Sequence, residues 1–86
     1  MPTYFFHIRG EEALVEDREG VRLPDLQTAV SEARQAAREL VSDLVLSGRS
    51  ISHRSIEIVE NGVIVGTIAL DSVIYRNELR TYSGSL

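Results

Sequence analysis

The fold is decided by residues 24–48, which read PDLQTAVSEARQAARELVSDLVLSG. Apolar residues recur in this stretch at spacings of three and four, the period that places side chains on one stripe of an α-helix. The stripe comprises Leu26, Ala29, Val30, Ala33, Ala37, Leu40, Val41 and Leu44. The pattern predicts one long amphipathic helix from about Pro24 to about Ser47.

Both ends of this helix carry local signals. Proline is tolerated at the start of a helix, and the side chain of Asp25 can accept hydrogen bonds from the free N–H groups of the first turn. Gly48 can take the left-handed conformation that commonly ends a helix. We therefore expect the helix to begin near Pro24 and to end just before Gly48.

The residues before the helix predict a β-hairpin. Thr3 to Arg9 is rich in aromatic and β-branched residues, which is typical of a strand. After Gly10-Glu11-Glu12, a second short strand over residues 13–16 can return antiparallel to the first. Asp17-Arg18-Glu19-Gly20 has the composition of a tight turn, and the chain then runs extended to the helix.

The residues after the helix predict a second hairpin. Residues 55–60 resume strand character, and Asn61-Gly62 favours a tight turn because both residues accept positive φ. A two-residue loop would place Ile58 opposite Val65, whereas a three-residue loop with Gly62 in a bulge would place Ile58 opposite Ile64. We prefer the second register, because it gathers on one face Ile56, Ile58, Ile64, Ile68 and Leu70.

Together these elements predict an α+β fold of order ββαββ. One long amphipathic helix would pack on one face of a four-stranded, mainly antiparallel sheet. A single domain is expected over residues 1–70, because 86 residues are enough for one core. Residues 71–86 are expected to form a C-terminal tail that is weakly helical or flexible.

Composition narrows the possible partners. The chain has 13 acidic and nine basic residues, a net charge of -4, and no cysteine. Its acidic balance disfavours general affinity for nucleic acid, which requires a positive surface. Its apolar stretches are far shorter than a membrane span, and the N-terminus lacks a secretory pattern. We expect a cytoplasmic protein that does not enter the membrane.

No arrangement of residues indicates catalysis or metal binding. The two histidines, His7 and His53, lack the companion ligands of a zinc site, and His7 is best explained as a sheet residue with its polar edge satisfied. The acidic residues between Glu11 and Glu19 lack the ligand spacing of a calcium loop. We find no nucleophile elbow and no phosphate-binding glycine loop. We therefore expect a non-enzymatic protein without metal or cofactor.

Two arginine groups are candidates for weaker contacts. Arg49, His53 and Arg54 lie among serines after the helix and could contact an anion, although the preferred explanation is that arginine completes the end of the helix. Arg34 and Arg38 lie four residues apart on the wet face of the helix. They could contact an acidic partner, with a solvated surface as the simpler explanation.

The face of the sheet opposite the helix is a further candidate. In the preferred register, Phe5, Val59, Val63 and Val65 point away from the helix. Monomeric proteins rarely expose such an apolar patch. We therefore predict that this face or a sheet edge mediates a homodimer, with the C-terminal tail as the other possible cover.

The sequence resembles a family of short bacterial proteins known only as a domain of unknown function. The resemblance rests on Tyr4-Phe5-Phe6-His7-Ile8-Arg9, on Asp17-Arg18-Glu19-Gly20-Val21 and on Leu23-Pro24-Asp25 before an alanine-rich helix. It implies no activity, cofactor or site. A weaker similarity is to bacterial antitoxins, which usually carry a DNA-binding tail, although residues 71–86 contain only Arg76 and Arg80 as bases. We expect a protein-interaction module that self-associates, or alternatively an antitoxin-like regulator that binds a basic toxin.

Overall fold

The computed structural model describes residues 1–74, which form an α+β fold with one long helix and an antiparallel sheet. The elements are β1 Thr3–Arg9, β2 Leu14–Val15, β3 Val21–Arg22, α1 Leu26–Leu46, β4 Ser55–Glu60 and β5 Val63–Ala69. Residues 70–74 are helical. The predicted fold class and the ββαββ order are confirmed, with the two-residue strand β3 added to the first half.

The sheet has the order β2-β1-β4-β5, and β3 also pairs with β1. The strand β2 pairs with β1 at Ile8 and Arg9, whereas β3 pairs with it at Thr3 and Tyr4. The chain therefore contacts β1 twice before it enters the helix. Among residues 1–74, this second contact raises the number of strands from the predicted four to five.

The ends of α1 follow their local signals. Asp25 has an extended backbone, and its Oδ1 accepts a 2.8 Å hydrogen bond from the Thr28 backbone N–H. Pro24 lies before this cap, so the helix begins two residues later than predicted. At the other end, the N–H of Arg49 donates to the carbonyl of Leu44, and Gly48 has a φ of 74°. Both predicted end signals are confirmed.

The core lies between α1 and strands β4 and β5. Small residues at intervals of four bring the helix close to the sheet, because alanine adds little bulk at the contact. The buried residues of this core are Tyr4, Ala29, Ala33, Ala37, Val41, Leu44, Ile56, Ile58, Ile68, Leu70 and Val73. Val73 lies beyond residue 70, where we predicted the domain to end, and that boundary stays a prediction.

The predicted register of the second hairpin is wrong. Glu60 pairs with Val63 across a two-residue turn, and Ile58 pairs with Gly66 instead of Ile64. Val65 is the extra residue of a bulge, and it packs against the core. Because side chains alternate across a strand, this shift moves Ile64 to the face opposite the helix and turns Val63 toward the helix side.

Among residues 1–74, no helix is long and apolar enough to cross a membrane. Of the predicted tail, only residues 71–74 are described, and they are helical. The remainder of that prediction lies outside the described residues.

Candidate functional site

The candidate site is the side of the sheet that α1 does not cover, which we call the back face. The alternation of side chains assigns to it Phe5 and His7 of β1, Glu57 and Val59 of β4, and Ile64 and Thr67 of β5. The strand pairing aligns these residues in rows that cross the sheet. One row is apolar and the next is polar.

The apolar row consists of Phe5, Val59 and Ile64. Phe5 pairs with Val59, and Val59 pairs with Ile64. Val59 is only 8% exposed, whereas Ile64, on the edge strand, is 52% exposed. The uncovered apolar surface therefore lies at the β5 end of the row.

The predicted apolar patch differs from this row. Phe5 and Val59 lie on the back face as expected, but the changed register places Val65 against the core. Val63 is 60% exposed beside the turn, on the helix side of the sheet. Ile64, which we expected in the core, takes the place of the two valines.

The turn before β3 covers the other end of the row. A Cβ atom added to Gly20 would lie 2.8 Å from Phe5 Cε2 and 2.9 Å from Thr3 Cγ2, so the backbone of the turn lies directly on these side chains. Gly20 has a φ of 71°, which also favours glycine. This turn leaves Phe5 only half-exposed.

Asp17 connects this turn to the middle of β1. Its Oδ2 accepts a 3.1 Å hydrogen bond from the Phe6 backbone N–H, and its Oδ1 accepts from the N–H groups of Glu19 and Gly20, also at 3.1 Å. Burial alone would raise the pKa of Asp17. The three N–H donors favour the carboxylate more strongly, so the pKa lies below its ordinary value.

His7 joins the same network. The Asp17 backbone N–H donates to His7 Nδ1 at 3.1 Å, so this ring nitrogen acts as an acceptor. The polar edge of His7 is satisfied, as predicted. Sequence reasoning placed Asp17 at the start of a tight turn, and also among the exposed acidic residues around it, but missed its hydrogen bond from Phe6. The Asp-x-x-Gly spacing was the only local signal.

A salt bridge marks the polar end of the back face. Arg9 Nε lies 3.0 Å from Glu57 Oε2, and Arg9 Nη2 lies 3.3 Å from Glu57 Oε1. Such a two-pronged contact fixes the orientation of both side chains across neighbouring strands. The back face therefore offers a partner one apolar end and one charge-compensated end.

The predicted anion-binding residues share one connection, between α1 and β4. Arg54 Nε donates to the Ser50 carbonyl at 2.8 Å, which uses part of its guanidinium within the loop. Arg49 and His53 are exposed, and the backbone N–H of Arg49 completes the helix end. The Arg54 contact lies within the loop, and the Arg49 contact involves only its backbone, so both anion binding and the completion of the helix end by arginine side chains stay predictions.

The two helix arginines lie on the surface of α1. Arg38 Nη2 donates to Gln35 Oε1 at 3.0 Å, and Arg34 is half-buried. An acidic partner for Arg34 and Arg38 stays a prediction. Within residues 1–74, no group of three or more histidine, aspartate or glutamate side chains is placed to hold a metal ion.

Comparison with known proteins gives one match. A family model described as "Domain of unknown function (DUF6894)" matches residues 3–71. This match confirms the expected resemblance to a domain of unknown function. No curated protein and no solved structure matches the chain.

Proposed function

We propose that this chain, which belongs to the DUF6894 family, is a non-enzymatic protein-interaction module that self-associates as a homodimer. The observation that carries the proposal is the exposure of Ile64 on the back face, next to the apolar pair of Phe5 and Val59. None of the described residues covers this end of the row. The proposal includes a bacterial, cytoplasmic setting.

The exposed apolar surface sets the scale of the association. Fully burying a valine or isoleucine side chain is worth roughly 1.5–3 kcal/mol. Burying the exposed half of Ile64 in two copies therefore contributes about 1.5–3 kcal/mol. Association itself costs about 4–15 kcal/mol. Apolar burial alone does not offset this cost, so a stable dimer requires additional hydrogen bonds.

Light scattering over a wide range of concentrations tests the proposal. The wild-type chain is expected to approach twice its mass of 9.6 kDa as the concentration rises. A particle of 9.6 kDa at every concentration would overturn the proposal.

A pair of variants then locates the association. Ile64→Thr keeps a β-branched residue in the strand but removes apolar surface, and it should weaken the dimer. Leu46→Ser is the control, because Leu46 is 84% exposed at the end of α1, outside the sheet. Equal dimerisation by all three proteins would exclude the back face as the interface.

The alternative is an antitoxin-like regulator that binds a basic toxin. The exposed carboxylates of Glu11, Glu12, Glu16 and Glu19 favour this alternative. A toxin gene beside this one, together with salt-sensitive binding of its product, would support the alternative. A salt-insensitive homodimer with no such neighbour would exclude it.

A further inference from the structure

The outer edge of β1 is closed at every position where its backbone points outward. The Phe6 N–H reaches Asp17, so Phe6 points away from β4, and alternation gives Tyr4 and Ile8 the same direction. Tyr4 pairs with β3 and Ile8 pairs with β2. Two short strands and one carboxylate therefore occupy this edge.

The outer edge of β5 is open among the described residues. The N–H of Leu70 donates to the Arg54 carbonyl at 3.0 Å, which fixes the alternation along β4. The backbone N–H and carbonyl groups of Ser55, Glu57 and Val59 consequently point toward β1, so the backbone groups of their partners on β5 point outward. Those partners are Ala69, Thr67 and Ile64. The Ala69 carbonyl accepts a 2.6 Å hydrogen bond from the Ser72 hydroxyl. The backbone N–H of Ala69 is left for an outside partner.

We propose that β5 pairs antiparallel with β5 of a second copy about a twofold axis at Thr67. This inference rests on the proposed self-association and names its surface. Ile64, Thr67 and Ala69, whose backbone groups point outward, pair with Val59, Glu57 and Ser55, which lie two residues apart along β4. The three β5 residues are therefore evenly spaced along the edge, because the bulge takes up the additional residue between Ile64 and Thr67. In the proposed register, Thr67 faces the Thr67 of the other copy, and Ile64 faces its Ala69.

The composition of β5 favours a second copy as the occupant. The strand reads VIVGTIA and contains no charged residue or proline, the features that usually protect an edge strand. The chain as a whole is acidic, so two copies approach with least repulsion along a neutral strand. The antiparallel order also places Asp71, which follows β5, at the far end from the Asp71 of the other copy.

The pairing supplies the hydrogen bonds that apolar burial alone lacks. Thr67 exchanges N–H and carbonyl groups with its symmetry mate, and each Ala69 N–H donates to the Ile64 carbonyl of the other copy. The exposed side chain of Ile64 then lies beside Ala69 of the other copy, across the new strand pair. Backbone pairing and partial cover of Ile64 therefore occur in one contact.

Charge substitution at the axis tests this inference. Thr67 is exposed, so Thr67→Lys and Thr67→Glu should both fold, which circular dichroism verifies. Each variant alone places two like charges opposite each other and should raise the dimer dissociation constant by up to about fivefold. An equimolar mixture should form a heterodimer in which the charges are opposite, detectable by native mass spectrometry. Thr67→Val keeps the strand neutral and should dimerise like the wild type.

The outcomes separate this inference from the proposed function. Loss of the dimer in both charged variants with recovery in the mixture supports pairing at Thr67. A wild-type dimer that both charged variants retain overturns the β5 register and leaves self-association intact. Loss in both variants without recovery also overturns it, because facing charges would attract in the mixture. A monomeric wild type overturns the proposed function itself.

Discussion

Replacement of Asp17 tests the structural role of the turn that closes the outer edge of β1. In Asp17→Asn, one carboxylate oxygen becomes an amide group. The side chain can then accept from Phe6 or from the N–H groups of Glu19 and Gly20, but not from both sides. If the remaining oxygen accepts from Phe6, the amide NH2 group faces the N–H groups of Glu19 and Gly20, and in the opposite orientation it faces the N–H of Phe6. Either way, one donor faces another donor. Asp17→Ala removes both acceptors.

The expected cost is dominated by the bond to Phe6. Hydrogen bonds to a charged group contribute about 1.5–3 kcal/mol each. The bond to Glu19 is exposed, so water replaces it at small cost, whereas the bond to Phe6 is partly buried within the sheet. We expect Asp17→Ala to lower the free energy of unfolding by about 2 kcal/mol. For a chain of this size, that corresponds to a decrease of about 8–16 °C in melting temperature.

The pH dependence has a defined sign. The pKa of Asp17 is lower in the folded chain than its ordinary value, so its contribution to stability is fully present above the ordinary pKa of about 3.9. That contribution is lost as the pH falls through the folded pKa. Urea unfolding followed by circular dichroism should therefore show a gap between wild type and Asp17→Asn that narrows below about pH 4.

A matched control is Glu16→Gln, which removes a neighbouring exposed carboxylate and should leave stability unchanged. If Asp17→Ala unfolds at the same urea concentration as Glu16→Gln, the turn does not close the edge of β1 as described. A gap that persists unchanged at acid pH would refute the charge-dependent part of the argument.

Three further predictions concern the turn, the core and nucleic acid. Gly62→Val should destabilise the fold by about 1 kcal/mol or more, because Gly62 has a φ of 76° and its surroundings are open, so the cost is conformational; an unchanged melting temperature would contradict this. Leu44→Ala should cost roughly 2–5 kcal/mol and the half-buried Leu40→Ala less, while the exposed Gln35→Ala should cost almost nothing in urea unfolding. Equal effects would mean that the buried stripe is misplaced. Gel shifts with generic duplex DNA or RNA should show no salt-sensitive binding, and a steeply salt-dependent shift would reverse this expectation.

Local signals in the sequence were sufficient for most of the fold. The apolar period of α1, the cap at Asp25, the left-handed Gly48 and the turn at Asn61-Gly62 all depend on residues close together in the chain. The register of β5 depends instead on packing against residues elsewhere. Alternation alone fits either Ile64 or Val65 in the core, and the one mark of the bulge that selects Val65 is the neighbouring Gly66, since glycine inside a strand often accompanies a bulge.

The same distinction applies to the candidate site. The apolar character of the back face follows from alternation, which correctly assigned Phe5 and Val59. The bond from Phe6 to Asp17 joins residues 11 positions apart, and only the path of the turn brings them together. Its neighbours in sequence are exposed acids, so charge pattern alone gave Asp17 the same interpretation as Glu16 and Glu19.

The difference between the two sheet edges limits the kind of assembly that the chain can form. A sheet with two open edges can add copies at both sides, which leads to open-ended growth. Here the edge beyond β1 is formed by β2 and β3, which are only two residues long each, and such short edge strands hinder pairing with another chain. Among the described residues, β5 is therefore the edge that can receive a partner along its length. In the proposed dimer the two β5 edges satisfy each other, and each copy ends in the short strands β2 and β3, which would make the assembly stop at two copies.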